Sequence, residues 1–175
     1  MNGNYDGFKP GGRLDVCDSM SDSFTVREYE TTDADAVQRL HEERSWDVEH
    51  SQPEHEVYAD LDDIEGTYLE TGGAFLVGER DGTVVATGGV EPVDAETVVL
   101  KRLRVDPAYQ RNGYGDALLT ELERRAEDGG YTEMIIDETG MNTTAQAFLE
   151  AHDFEVTETS IYLGTELLSY RKALA

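Results

Sequence analysis

A short glycine-containing turn, Gln110-Arg111-Asn112-Gly113-Tyr114-Gly115, carries the strongest chemical signal in the sequence. It follows a run typical of a β-strand, residues 97–105, and precedes a run typical of an α-helix, residues 116–127. Such a turn leaves backbone N–H groups unbonded at a helix N-terminus, where the helix dipole also favours negative charge. Because glycine has no side chain, the backbone can approach a ligand closely. The turn therefore predicts a site for a phosphate or pyrophosphate.

Two common phosphate-binding motifs do not fit this turn. The dinucleotide fingerprint requires G-x-G-x-x-G, and here Leu118 stands at the place of the third glycine. The P-loop requires Gly-Lys followed by Ser or Thr, and the sequence contains no such triplet. What remains is a Gln-x-x-Gly-x-Gly turn after a strand that ends in Val105-Asp106-Pro107.

The charge of the chain is the second signal. Among 175 residues there are 38 acids against 14 bases, which gives a formal charge of −24. A charge of this size repels itself in the compact state, and high salt screens that repulsion. Lysine is scarce among the bases, a composition that resembles the cytoplasmic proteins of salt-accumulating archaea; an ordinary acidic protein is the alternative. DNA or RNA binding is disfavoured, because it requires a broad basic surface.

Length and composition indicate several other properties of the chain. The length suits one domain with its own core. No apolar run is long enough for a transmembrane helix, so we expect no membrane span. The single cysteine, Cys17, suits a reducing cytoplasm. The spacing of His, Cys and Asp residues does not indicate a metal site.

The order of elements predicts a mixed α/β domain. Residues 1–22 are predicted to be a flexible leader, with Met20 as a possible natural start, and residues 23–175 a single domain. Hydrophobic periodicity and turn residues predict the order β α α β β β α β α β β, in which a meander precedes a βαβ unit. Asp81-Gly82 between two apolar runs indicates a hairpin.

The chain resembles the GNAT superfamily, the Gcn5-related N-acetyltransferases. The resemblance rests on four features that lie in the family's order along about residues 23–173. They are Leu100 to Pro107 (a fourth strand and its turn), Gln110 to Gly115 (the acyl-CoA pyrophosphate loop), Asn142-x-x-Ala145-x-x-Phe148-Leu149 (the helix after strand five), and Asp153-Phe154, where the family usually has Gly-Phe. A local surplus of three positive charges over residues 101–111 also suits a polyanionic ligand.

The resemblance implies a central, mostly antiparallel sheet that is splayed between strands four and five and flanked by helices. Acetyl-CoA would insert at the splay as co-substrate, and an amine would attack it directly in a ternary complex. Asn142 would contact the cofactor, with a helix N-cap as its alternative role. The residues implied in cofactor binding are Leu103, Arg104, Val105, Gln110, Arg111, Asn112, Gly113, Tyr114, Gly115, Asp116 and Asn142.

The sequence offers several candidates for the catalytic groups. Glu91, just beyond the third strand, is the first candidate for the base, with Glu96 behind it. His41 and His152 lie in polar helix segments and are expected to be exposed. Many family members have a tyrosine as general acid at the position that is Leu149 here, and Tyr162 is the candidate replacement, although a packed aromatic role is its simpler interpretation.

The acceptor is predicted to be a primary amine of a small molecule or peptide. An acidic cleft would suit a cationic amine, but acids occur throughout this chain. Position 149 is leucine where many family members have tyrosine. This difference leaves an alternative function open, a catalytically weak acyl-CoA sensor or interaction module of the same fold. A homodimer is common in the family.

Overall fold

The computed structural model describes residues 23–42, 59–139, 143–162 and 164–175. The predicted leader with Met20, and also Asn142, lie outside this part of the chain. The described residues form seven strands: β1 (Phe24–Glu28), β2 (Ala74–Arg80), β3 (Thr83–Pro92), β4 (Thr97–Val105), β5 (Glu133–Thr139), β6 (Glu155–Tyr162) and β7 (Thr165–Ala173). Their α-helices are α1 (Ala34–Glu42), α2 (Ala59–Asp62), α3 (Tyr114–Asp128) and α4 (Thr143–Ala151). A π-helical segment, Glu65–Leu69, follows α2, and 3-10 turns lie at Thr31–Asp33 and Pro107–Tyr109.

All seven strands belong to one sheet with the order β1-β2-β3-β4-β5-β7-β6. Neighbouring strands are antiparallel except β4 and β5, which are parallel because α3 crosses over between them. The predicted order of elements and the mixed, mostly antiparallel sheet are therefore confirmed. No helix in the described part of the chain is both long and apolar enough to span a membrane.

Helices cover both faces of the sheet. The predicted apolar stripe of α3 is confirmed, because Tyr114, Leu118, Leu122 and Ala126 are all buried. On that face α3 packs against a cluster that includes Leu76, Ala86, Val90, Val98 and Leu100. On the opposite face, α1, α2 and the π-helical segment pack on a second cluster formed by Tyr29, Val37, Leu61, Ile64, Tyr68, Phe75 and Val77. The two clusters hold the centre of the sheet between helices.

The helix α4 ends at a backbone conformation that fits glycine better than the residue present. Asp153 has a φ of +66°, in the left-handed region, directly before Phe154, which is buried. A glycine adopts this conformation without a steric penalty, whereas aspartate is among the few other residues that tolerate it. This conformation gives a physical reason for the Gly-Phe pair expected from the resemblance, and for how Asp-Phe can replace it.

The strands β4 and β5 pair over only a short part of their described length. The register joins Thr97 with Glu133, Val98 with Met134, and Val99 with Ile135. Beyond Val99, β4 continues to Val105 alongside β3 alone, while β5 continues alongside β7. The two strands therefore part after three residue pairs and leave an opening in the middle of the sheet.

Two adjacent glycines in β3 allow the helices to approach the sheet. A side chain at one of them would meet rigid aromatic rings, and a side chain at the other would meet flexible leucine ends. A Cβ on Gly89 would lie 2.8 Å from Phe75 Cδ2 and 2.9 Å from Tyr68 Cε1. A Cβ on Gly88 would meet the flexible ends of leucine side chains instead, with Leu122 Cδ1 at 2.8 Å. We expect Gly89→Ala to lower the free energy of unfolding by about 1–3 kcal/mol through overpacking, and Gly88→Ala to cost less. Urea denaturation at one fixed salt concentration measures both, and equal losses would contradict this packing argument.

Candidate functional site

A β-bulge in β4 shapes the edge of the opening. The register joins Thr87 with Arg104 but Gly89 with Lys101, so three steps along β4 lie opposite two steps along β3. Arg102, within the extra stretch, has a φ of +57°. The bulge shifts the side-chain alternation of β4, and as a result Leu103 and Val105 pack on the α3 face, as Leu100 does.

The backbone after the bulge presents hydrogen-bonding groups to the opening. The Asp106 N–H donates to Val85 O of β3 at 2.8 Å. Because N–H and C=O groups alternate in direction along a strand, those of Arg104 also point to β3, whereas those of Leu103 and Val105 point to the opening. The Gln110 side chain donates to Val105 O at 3.2 Å. The N–H groups of Leu103 and Val105 are therefore directed at whatever occupies the space between β4 and β5.

The side chain of Arg102 ties the bulge to α2. Its Nε donates to Asp60 Oδ2 at 2.9 Å, and its terminal nitrogen pairs with Asp60 Oδ1. The Tyr68 hydroxyl donates to the same carboxylate. Burial alone would raise the pKa of Asp60, but the hydrogen bonds from Arg102 and Tyr68 outweigh burial and hold the pKa below its ordinary value. The carboxylate is therefore ionised and bonded on both sides.

The backbone carbonyl of Arg102 is connected to α1 through two hydrogen bonds. The Thr87 hydroxyl donates to Arg102 O at 2.8 Å, and His41 Nε2 lies 3.0 Å from Thr87 Oγ1. A hydroxyl has one proton and a carbonyl can only accept, so His41 must donate its Nε2–H to Thr87. His41 is 6% exposed, so its expected exposure was wrong: α1 turns it into the sheet to complete this chain of hydrogen bonds.

The glycine turn lies at the N-terminus of α3, at the same end of β4. Arg111 and Gly113 have positive φ values of 65° and 79°, and Gly113 is the N-cap of α3 without a side-chain cap. The first N–H groups of α3, from Tyr114 to Asp116, therefore lack side-chain capping and face the helix end. The Tyr114 side chain is buried and stacks on Phe24 with ring centroids 3.8 Å apart, so only its backbone can contribute to an anion site.

The Asp116 carboxylate, next to these N–H groups, is engaged by a histidine. His152 Nε2 lies 2.5 Å from Asp116 Oδ1, and this contact joins the start of α3 to the end of α4. His152 is thus partly covered and bonded instead of lying exposed in solvent as expected.

The local surplus of positive charge seen in the sequence is partly neutralised by contacts. Lys101 and Arg102 pair with Glu91 and Asp60, whereas Arg111 is exposed and makes no ion pair with any described residue. Arg80 lies over the Tyr109 ring with its guanidinium carbon 5.6 Å from the centroid. No sequence signal marks Arg80, because only the sheet brings the end of β2 beside the turn.

The candidate catalytic residues lie in different places. Glu91 lies on β3 opposite Val99, where β4 and β5 part. Tyr162 lies at the end of the edge strand β6, three strand positions from β4 and thus roughly 14 Å away. Its side chain is 55% exposed, so it is not a packed aromatic. Leu149 is 2% exposed within the core cluster on the α3 face. The described residues contain no group of three His, Cys, Asp or Glu side chains that could hold a metal ion.

Comparison with known proteins supports one family. Residues 37–154 match the model described as "Acetyltransferase (GNAT) family". The chain is 35% identical over 109 residues to human N-acetyltransferase 8, an alignment that covers 59% of this chain and 48% of the human protein. The chain thus spans about half the length of that relative. It is 30% identical over 89 residues to mycothiol acetyltransferase from Stackebrandtia nassauensis, which covers 51% of this chain and 29% of that protein.

Solved structures support the same fold. An acetyltransferase from Streptococcus agalactiae aligns with a TM-score of 0.77 at 20% identity, over 87% of this chain and 99% of the other. A GNAT family acetyltransferase from Elizabethkingia anophelis, solved with acetyl-CoA bound, aligns with a TM-score of 0.60 at 16% identity, over 87% of this chain and 99% of the other.

The hydrogen bonds of Thr87 can be removed with little change in shape. We expect Thr87→Val to lower the free energy of unfolding by about 1–3 kcal/mol, because it leaves the buried His41 N–H and Arg102 carbonyl without this partner. We also expect faster amide hydrogen exchange at Arg104 and Asp106, whose N–H groups point to β3 next to the bulge. Thr87→Ser keeps the hydroxyl and should restore slow exchange at both positions.

Urea denaturation and exchange followed by NMR measure these effects. Met134→Ala, in the core of β5, provides a control that loses stability at a residue that pairs with neither β3 nor the bulge. Equal exchange at Arg104 and Asp106 in the Met134→Ala and Thr87→Val variants, at matched stability, would show that Thr87 does not hold the bulge.

Proposed function

Because the chain belongs to the acetyltransferase (GNAT) family, we propose that it transfers an acetyl group from acetyl-CoA to a primary amine of a small molecule or peptide. The main support for this proposal is that an open strand edge and an uncapped helix N-terminus follow each other closely along the chain. The open edge of β4 ends at Val105, and the uncapped N-terminus of α3 begins at Tyr114. CoA combines an extended arm containing amide groups with a pyrophosphate, so one ligand suits both features.

The residues present fit such a ligand by their chemistry. The N–H groups of Leu103 and Val105 can pair with an extended amide chain and can polarise a thioester carbonyl, on which negative charge develops during attack. The turn from Arg111 to Asp116 offers backbone N–H groups and positive helix dipole to the pyrophosphate. Arg111 adds an exposed positive charge, and Arg80 lies beside the turn.

In the proposed reaction the acceptor ammonium loses a proton, and its nitrogen then attacks the thioester carbonyl carbon. The new C–N bond forms as the C–S bond breaks, and the bonding electrons leave with the sulfur of CoA. In net terms, an ammonium and acetyl-CoA give an amide, the thiol of CoA and one proton. Glu91, opposite Val99 where β4 and β5 part, is the proposed base and removes the proton directly or through water.

The departing thiolate does not require the family's tyrosine. Leu149 occupies that position and is buried in the core, and Tyr162 lies across β5 and β7 on the edge of the sheet. A thiol has an ordinary pKa of about 8.5, which makes thiolate a tolerable leaving group near neutral pH. We therefore propose that it leaves unassisted and takes its proton from water. Leu149→Tyr is a poor test of this step, since overpacking at a buried leucine costs about 1–3 kcal/mol.

Release of CoA thiol with a panel of primary amines tests the proposed activity. The assay compares dilute buffer with molar KCl, because the charge of −24 leads us to propose a cytoplasmic, salt-adapted enzyme that keeps its activity when that charge is screened. We expect Glu91→Gln to lower kcat by about 100-fold or more, the usual contribution of a general base. Binding of CoA without thiol release from any amine would instead favour the acyl-CoA sensor, and inactivation by molar KCl would contradict salt adaptation.

A matched pair of glycine variants tests the pyrophosphate site. Gly113 and Gly130 have φ values of 79° and 89°, so alanine strains the backbone similarly at both, but Gly130 lies beyond the opposite end of α3. We expect Gly113→Ala to weaken CoA binding about 10-fold and to leave binding of pantetheine, which lacks the pyrophosphate, unchanged. Calorimetric titration measures both ligands. Equal weakening of CoA and pantetheine, or the same effect from Gly130→Ala, would contradict the assignment of this turn.

A further inference from the structure

The carboxylate of the proposed base, Glu91, forms an ion pair with a lysine. Lys101 Nζ lies 2.6 Å from Glu91 Oε2. Lys101 is one of three lysines in the chain, and its side chain is 40% exposed while that of Glu91 is 29% exposed. Solvent molecules and small ligands can therefore reach both charged groups.

The pair lies on the face of the sheet opposite α3, beside the opening. Gly89 faces Tyr68 and Phe75 of the second cluster, so Glu91, two residues further along β3, shares that face. Lys101 lies opposite Gly89 and thus faces the same way. Along β4, Lys101 comes after Val99, where the strands part, and before Leu103, whose N–H points into the opening. An amine that approaches the thioester from this side of the sheet passes Lys101.

This position creates an electrostatic conflict for a purely cationic acceptor. The ammonium must come near Glu91, directly or through one water, and it then lies close to the ammonium of Lys101. Two positive charges near one carboxylate repel each other, and displacement of Lys101 leaves it without the partner that it has in this structure. The neighbouring Asp60 offers no relief, because Arg102 and Tyr68 already occupy it.

An acceptor that carries its own carboxylate beside the amine removes the conflict. Its ammonium replaces Lys101 at Glu91, and its carboxylate replaces Glu91 at Lys101, so every charge keeps a partner. We infer that the acceptor is an amine with a carboxylate on the adjacent carbon, as in α-amino acids, and that Lys101 determines this specificity. The inference rests on the proposed acetyl transfer with Glu91 as base. The acceptor carboxylate takes no part in the bond changes of that reaction.

The test compares acceptor pairs that differ only in the carboxylate: alanine with ethylamine, phenylalanine with phenethylamine, and lysine with cadaverine. For wild-type protein in molar KCl, we expect kcat/KM to be about 10-fold or more higher for the carboxylate member of the preferred pair. In Lys101→Met that ratio should fall to about one, with the KM for acetyl-CoA unchanged. Lys101→Arg keeps the charge and should retain a preference for the carboxylate.

Lys172 provides the matched control. Its Nζ also lies 2.6 Å from a carboxylate oxygen, Glu123 Oε1, but this pair joins β7 to α3, away from the opening. Lys172→Met changes the net charge as Lys101→Met does and should leave the acceptor ratio at its wild-type value. Circular dichroism establishes that both variants are folded under the assay conditions.

The outcomes separate this inference from the proposed function. Faster turnover of the amines that lack a carboxylate, or an unchanged ratio in Lys101→Met, would overturn the inference while acetyl transfer still stands. Such a result would favour polyamines or other cationic amines as acceptors. If no acceptor of either kind released thiol, the proposed acetyl transfer would fail, and the inference would fail with it.

Discussion

The parting of β4 from β5 after three residue pairs is the constraint on which the rest of the structure depends. Backbone groups at an interrupted ladder must find other partners, because a buried N–H or C=O without a hydrogen bond costs about as much as the bond itself. In this sheet β4 is secured on its other side by β3 and from one face by α3. Strong support on these sides allows β4 to keep an edge that does not pair with β5.

The bulge at Arg102 decides how that edge is used. It returns Leu103 and Val105 to the α3 face and turns their N–H groups to the opening. A non-glycine residue with φ near +57° costs about 1–2 kcal/mol, so the conformation has to be held by its surroundings. Asp60 holds the Arg102 guanidinium, and Thr87 with His41 holds its carbonyl. The two helices that precede β2 are thereby tied to the strand that would contact the thioester.

The chain is strongly acidic, yet three positive side chains near the opening differ in their burial and partners. Arg102 serves the fold, because Asp60 engages it in a half-buried site. Lys101 is accessible and pairs with the proposed base, while Arg111 is exposed beside the uncapped end of α3. Of these three cations, Arg102 is a structural residue, while the proposed roles of Lys101 and Arg111 are to bind the acceptor and the pyrophosphate. The three residues differ in how deeply they are buried and in which carboxylate, if any, they contact, and the net charge of the chain reveals neither property.

The sequence by itself determined the order of elements, the apolar stripe of α3 and the glycine turn, because these depend on local periodicity and on residues with special backbone freedom. It could not place His41, Tyr162 or Arg80 relative to the opening. His41 belongs to a polar helix segment, yet it is buried against Thr87. Tyr162, at the end of β6, lies on the edge of the sheet because β7 pairs between β5 and β6. The bulged strand β4 likewise contains no glycine to indicate the bulge. Only the tertiary structure decided these features, since register, strand order and long-range hydrogen bonds join residues far apart along the chain.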